Sequence, residues 1–304
     1  MSEKIKIPNL SLSNDEIVKL IKSNKPFSII RPGSGPELYY TAEWIKSNGA
    51  NLGTHRYLIF LIRNAGIYLG VKQPYNKPNT DYDKLKIWCK INNNAIKTCD
   101  LMAVFPKGKN YFGFFTNSIY FKNKYEIDII TPKCLEPFYQ IHNNIKPWTH
   151  ALIEKKVLII NPFVESFKKQ EKKFKMFKDK YIFLKNQEFK YYKSFNTSAF
   201  NYIHSSWVET FNIMCNDIKN IDFDIALLGC GGYGLPLCDY IKNTLNKSAI
   251  YIGGGLQLMF GVMGKRWETH DNIQKIIKDN NGFIRPSKNE IIKNKELVEN
   301  GCYW

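Results

Sequence analysis

The sequence predicts an α/β protein built on a parallel sheet with helices on both faces, preceded by a helix-rich N-terminal α/β part. Three observations carry that expectation. Beyond residue 146, short apolar runs alternate with amphipathic stretches, as parallel strands do with the helices that cross between them. "DIALLGCGGYGLPLCDYI" (Asp224–Ile241) is an apolar strand entering a glycine-rich turn and then a helix. Ahead of residue 146, two further short apolar runs, "FSIIR" and "DLMAVF", read as strands among helical segments.

Element by element, Ser13 and Glu16 read as a capping box for a first helix that buries Ile17, Leu20 and Ile21. "FSIIR" (Phe27–Arg31) is closed by Pro32 and Gly33, and "ELYYTAEWIK" and "RYLIFLIRNAGIYL" have helical length and apolar content. "YDKLKIWCKINNNAIKTC" sets Leu85, Trp88, Cys89 and Ile96 near one helical face, and "DLMAVF" (Asp100–Phe105) ends at "PKGKN". The Asn pair and proline of "HNNIKPWTH" (His142–His150) mark a boundary between an N-terminal part, 1–146, and a second part, 147–304. There "KKVLIINPF" is a strand, Phe167, Phe174 and Phe177 stripe a lysine-rich helix, and "YIFL" is the next strand. Ser206 and Glu209 cap a helix carrying Trp207, Val208, Phe211, Met214, Cys215 and Ile218; "DIALLG", "GLPLCDYIKNTL" and "SAIYIGGG" follow as strand, helix and strand. The tail ends in "GCYW", apolar enough to be expected packed down.

Composition narrows the function classes. Of 304 residues, 44% are hydrophobic and 23% charged, values of an ordinary globular chain. No run approaches the roughly 18 apolar residues of a membrane helix, and the polar start "MSEKIKIPNLSLSNDEI" lacks the apolar stretch of a signal peptide. A soluble, cytoplasmic protein is expected. The net charge of +17 is almost all lysine, and the arginines are Arg31, Arg56, Arg63, Arg266 and Arg285. Lysine accompanied by heavy Asn and Ile use fits a biased coding composition rather than a selected patch. The densest run, Phe167–Lys180, reads as a helix with one apolar stripe and a solvated face rather than a nucleic-acid or anionic-membrane surface, so no specific nucleic-acid partner is expected. Seven cysteines without a C-x-x-C pair and five scattered histidines signal neither a disulfide framework nor a zinc site.

Three constellations carry chemistry. Gly229, Gly231 and Gly234, with Gly232 between them, satisfy G-x-G-x-x-G directly after a strand and before a helix. Glycine permits the tight turn, removes side chains near a phosphate and leaves helix N–H groups pointing outward; the alternative is that the glycines only let helix and sheet pack closely. A NAD site needs a carboxylate at the end of the next strand, about 20 residues on. Gly253, Gly254 and Gly255 stand there instead, which argues against NAD and sets a second glycine turn beside the first. Shortly afterwards Lys265 and Arg266 can neutralise phosphate and Trp267 can stack on a base or sugar, or all three are surface cations and a core tryptophan. The third is "SIIRPGSGPELYY" (Ser28–Tyr40), where Arg31 ends a strand and Glu37 begins a helix, suited to an anion and a hydroxyl or metal, or to a structural salt bridge.

With these residues in view, the chain resembles a group of bacterial polysaccharide-cluster proteins related to the GT-D-type glycosyltransferases. The likeness lies in "PWTHAL", "KVLIINPF", "DFDIALLGCGGYGLPL", "YIGGGLQLMFGVMGKRW" and "GCYW", and in "RPGSGPE", which is similar to the family's "RFGDGE". The resemblance implies a Rossmann-like core that uses a nucleotide sugar and a glycan acceptor, with a D-x-E motif in the N-terminal turn serving a divalent metal, Mg or Mn. Arg31, Gly33 and Gly35 have counterparts, and Glu37 stands for the glutamate after a one-residue insertion. Ser34 holds the aspartate's place, and a hydroxyl is a poor ligand for a hard cation. The resemblance thus leaves two readings: transfer with Arg31 and the glycine-turn N–H groups balancing the diphosphate, and a scaffold that has lost the chemistry.

Overall fold

The computed structural model describes residues 6–32, 65–70, 82–105, 112–174, 182–184, 187–270, 273–275 and 282–304. Seven strands form one sheet: β1 (Ser28–Ile30), β2 (Leu101–Ala103), β3 (Asp128–Ile130), β4 (Lys156–Asn161), β5 (Glu188–Lys193), β6 (Ile225–Leu228) and β7 (Ser248–Tyr251). Their order is β3-β2-β1-β7-β6-β4-β5 and every pair is parallel. The described α-helices are α1 (Leu10–Lys22), α2 (Tyr82–Thr98), α3 (Phe112–Tyr125), α4 (Pro137–His142), α5 (Val164–Glu171), α6 (Trp207–Lys219), α7 (Gly234–Asn243) and α8 (Gly255–Met259). This is a Rossmann-like α/β fold.

Central strands such as β4 (KVLIIN) and β6 (IALL) are apolar without alternation because both sides of the sheet are covered. Successive residues still feed different layers. Ile29, Ile159, Leu227 and Ile250 enter one core with Ile17 of α1, Phe167 of α5 and Trp304. Ile30, Leu158, Leu228 and Ala249 enter the other, with Trp88 of α2, Met214 of α6 and Leu237 of α7. The division expected at 146/147 falls between α4 and the 3-10 turn Trp148–Leu152. Strands from both sides of it share the sheet, which is joined where Ile29 of β1 lies opposite Ile250 of β7.

Several elements differ from the sequence expectation. Helix α1 starts earlier, because Asn9 accepts the Leu12 N–H at 2.9 Å. Ser13 is therefore buried inside the helix, where its hydroxyl accepts the Thr131 N–H at 3.1 Å, and no Ser13–Glu16 box forms. "YIFL" is not the strand beside β4. Ile182 and Phe183 are buried in a bend, Phe183 packing on Phe189 and Phe260, and the partner of β4 is the polar edge strand EFKYYK. Helix α3 and strand β3 had no sequence expectation. "ELYYTAEWIK" lies outside the described residues; of "RYLIFLIRNAGIYL" only Ala65–Leu69, a π-helical turn, lies within them. The Ser206 cap of α6 forms, its hydroxyl accepting the Glu209 N–H at 3.1 Å. None of the seven cysteines is in a disulfide, and all are buried.

Strand order positions the site. The chain leaves β4 toward the β5 edge of the sheet, but leaves β6 toward β7 and β1 toward β2, both in the direction of the β3 edge. Segments that depart in opposite directions open a crevice at the carboxyl ends of the strands. No helix among the described residues is long and apolar enough to cross a membrane.

Candidate functional site

The carboxyl ends of all seven strands face one cleft of about 1030 Å³. Thr131 follows β3, Phe105 β2, Arg31 β1, Gly253 β7, Gly231 β6, Phe163 β4 and Phe195 β5, and each lines it. The volume is at the upper end of small-molecule sites, about 300–1,000 Å³.

The first glycine turn follows β6 and passes through the 3-10 turn Gly231–Tyr233 into α7. Its glycines do different things. A Cβ on Gly229 would stand 2.7 Å from both the Gly253 carbonyl oxygen and Asn161 Nδ2, so this residue lets two strand ends approach. A Cβ on Gly234 would overlap the Tyr251 ring, so this one lets α7 pack on β7. Gly231 is different: its φ is +58°, and the nearest atom to a Cβ there is the Tyr68 carbonyl oxygen at 4.0 Å. Gly231 and Gly232 line the cleft, and their N–H groups make no hydrogen bond among the described residues. The turn is held from behind. Asn161 Nδ2 donates to the Gly229 carbonyl at 2.8 Å, and the Tyr251 hydroxyl donates to that of Gly231 at 3.0 Å. Tyr233 stacks on Trp207 at 5.0 Å and shares a hydrogen bond with Thr197 at 2.8 Å. Burial pushes the Cys230 thiol and the Tyr251 hydroxyl up, so both stay protonated and neutral beside this turn.

The second turn follows β7 and is filled. The space a Cβ would take at Gly253 is occupied by the Arg31 guanidinium, at Gly254 by the Tyr303 ring and at Gly255 by the Glu136 carboxyl group. Arg31 reaches Gly253 because Ile29 is level with Ile250, which sets Arg31, two residues on, beside the end of β7. Its Nη1 donates to Glu136 Oε1 at 3.1 Å, and the side chains of the pair are only 17% and 14% exposed. Glu136 comes from the junction of the 3-10 turn Pro132–Leu135 with α4 and makes no side-chain cap there. Tyr303 arrives from the far end of the chain, its carbonyl accepting from Gln257 Nε2 at 3.1 Å.

Of the remaining sequence candidates, Trp267 is buried and lines the cleft, tilted against Tyr303 at 6.3 Å. Arg266 lines it too, but is already engaged: it is ion-paired with Glu299 and lies 4.7 Å from the centre of the Tyr303 ring. Burial works against its charge, and Tyr303, Cys302 and Glu299 more than offset that, so the guanidinium keeps its proton. Lys265 is exposed and is not among the cleft residues; its N–H donates to the Trp304 carbonyl at 3.1 Å. Gly33, Ser34, Gly35 and Glu37 lie outside the described residues. For the divalent metal, the described residues hold no group of three or more metal-ligating side chains. The two described carboxylates of the cleft, Glu136 and Glu299, are each tied to an arginine. Glu37, which the resemblance assigns to the metal, lies outside the described residues.

Sequence reasoning missed Glu136, Asn161, Tyr303 and the Glu299 carboxylate. Asn161 and Tyr303 lie within "KVLIINPF" and "GCYW" without a role having been read for them, and Glu136 and Glu299 belong to no motif. No curated protein matches the chain. Comparison with protein families matches residues 13–259, more than half of the sequence, to the GT-D fold-like domain, GT-D-like. The matched span contains β1 to β7, both glycine turns, Arg31 and Glu136. The chain belongs to the GT-D-like family.

Proposed function

We propose that the cleft binds a nucleotide sugar and transfers its sugar to a hydroxyl of a glycan acceptor, in surface polysaccharide or glycoprotein glycan synthesis. One observation carries this. The open N–H groups of Gly231–Gly232 and the guanidinium of Arg31 border the same crevice, the first able to receive a diphosphate and the second to balance its charge. Arg31 spends one donor on Glu136, and a guanidinium has five.

In the transfer, the acceptor oxygen forms a bond to the anomeric carbon while the bond from that carbon to the phosphate oxygen breaks. The electron pair leaves with the nucleoside diphosphate, where Arg31 and the turn N–H groups stabilise the growing charge. The acceptor proton passes to a carboxylate, for which we assign Glu37. The half-buried Tyr251 and the buried Asn161 keep the turn in place throughout, so little reorganisation accompanies the step. Donors of this class are made in the cytoplasm, which is where we place the protein.

The test is a melting-temperature panel of uridine, guanosine, cytidine and thymidine diphosphate sugars, with NADH as a control. A ligand at 100 times its dissociation constant stabilises by about 2.7 kcal/mol. A rise with at least one nucleotide sugar and none with NADH is expected. No rise across the panel, or saturable NADH binding, would overturn the proposal. Sugar-nucleotide binding without any turnover would assign the chain to the scaffold class.

A further inference from the structure

We infer that Glu136 reads the ribose of the bound nucleotide, so that the cleft takes ribonucleoside diphosphates in preference to 2′-deoxyribonucleoside ones. This rests on the nucleotide-sugar reading above and narrows it. In a glycine-turn nucleotide site the ribose hydroxyls are held by a carboxylate at the end of the strand that follows the turn. Here that strand is β7, and its end is Gly253–Gly255, with no carboxylate of its own. The fold brings one in from elsewhere. Glu136, from the turn after β3, lays its carboxyl group against Gly255, where a Cβ would stand 2.6 Å from Cγ, Cδ and Oε1. Glycine at 255 therefore makes the room that a carboxylate needs in this place. Gly255 opens α8 with an ordinary helical backbone, so conformation alone does not call for glycine there.

The pair with Arg31 gives the carboxylate a fixed direction. Oε1 is held at 3.1 Å by Arg31, whose guanidinium lies against Gly253, and Oε2 makes no hydrogen bond among the described residues. Glu136 lines the same cleft as Gly231 and Gly232 of the first turn. A carboxylate with an unused oxygen accepts hydrogen bonds from hydroxyls and has nothing to offer a deoxy position. The other acidic side chain of the cleft, Glu299, is ion-paired with Arg266 on the wall made by the tail.

The experiment measures dissociation constants of UDP, GDP and CDP and of their 2′-deoxy counterparts by calorimetry, for the wild type, Glu136→Gln and Gly255→Ala. Wild type is expected to bind its preferred ribonucleotide at least about tenfold tighter than the deoxy form, the scale of one hydrogen bond to a charged group. In Glu136→Gln the ratio should fall to within about threefold, over and above any change common to both forms that follows from releasing Arg31. Gly255→Ala keeps the charge but displaces the carboxyl group, and should flatten the ratio in the same way. Equal wild-type affinity for the ribo and deoxy forms overturns the inference and leaves the nucleotide reading standing. So does an unchanged ratio in folded Glu136→Gln, or an equal loss of both forms, which would make Glu136 structural. Failure of wild type to bind any nucleoside diphosphate removes the nucleotide reading itself.

Discussion

The two glycine turns lie side by side at the end of β6 and the end of β7, and they use glycine in opposite ways. At the first, Gly229 and Gly234 bring backbone and a tyrosine ring close together, and Gly231 between them faces open space. At the second, all three glycines are covered, each by a side chain from a different segment: Arg31, Tyr303 and Glu136. The open turn leaves room in the cleft; the covered turn gathers Arg31, Tyr303 and Glu136 on the cleft's wall. A glycine-rich string does not distinguish the two, because the difference lies in what occupies the missing Cβ.

Alanine substitutions test that division. The largest effect is expected for Gly234→Ala and Gly229→Ala, where the new methyl meets the Tyr251 ring or the Gly253 backbone. Overpacking of this kind costs about 3 kcal/mol, and more where backbone must move, read as a lower urea midpoint with an unchanged slope. Gly253→Ala and Gly231→Ala come next. Both hold positive φ, +76° and +58°, so each loses about 1–2 kcal/mol of stability from backbone strain. They should separate in kind: the methyl at 253 displaces Arg31, whereas the methyl at 231 enters the cleft, where it is expected to obstruct a diphosphate directly. The smallest effect is that of Lys265→Ala. Its side chain is exposed and away from the cleft, so stability should change by less than about 0.5 kcal/mol and nucleotide affinity by less than twofold. Loss of binding in Lys265→Ala, or equal stability losses across all four glycine variants, would break the comparison.

Most of the sheet could be read from the chain itself. β1, β2, β4, β6 and β7 are apolar runs flanked by turn residues, which is how buried parallel strands look. β5 could not, because an edge strand needs only one apolar face and "EFKYYK" is less apolar than "YIFL" just before it. The aromatic residues of "YFGFFTNSIYFKNKY" follow no single helical face, and α3 went unseen. For the site, the glycine turns and Arg31 were visible because motif and strand end coincide. Glu136 was not: it meets Arg31 across 105 residues, and only the register of β1 on β7 and the path from β3 into α4 bring them together. Arg266 reads from the sequence as a phosphate partner or a surface cation; its partner Glu299 does not show there, and that carboxylate ties it beside Tyr303.

The central claim, that the open first turn and Arg31 together receive a diphosphate, is tested most directly by a crystal structure with a nucleoside diphosphate bound. Phosphate oxygens are expected within about 3 Å of the Gly231 and Gly232 nitrogens and of the Arg31 guanidinium. A diphosphate seated away from Gly231, with Arg31 turned out of the crevice, would contradict it.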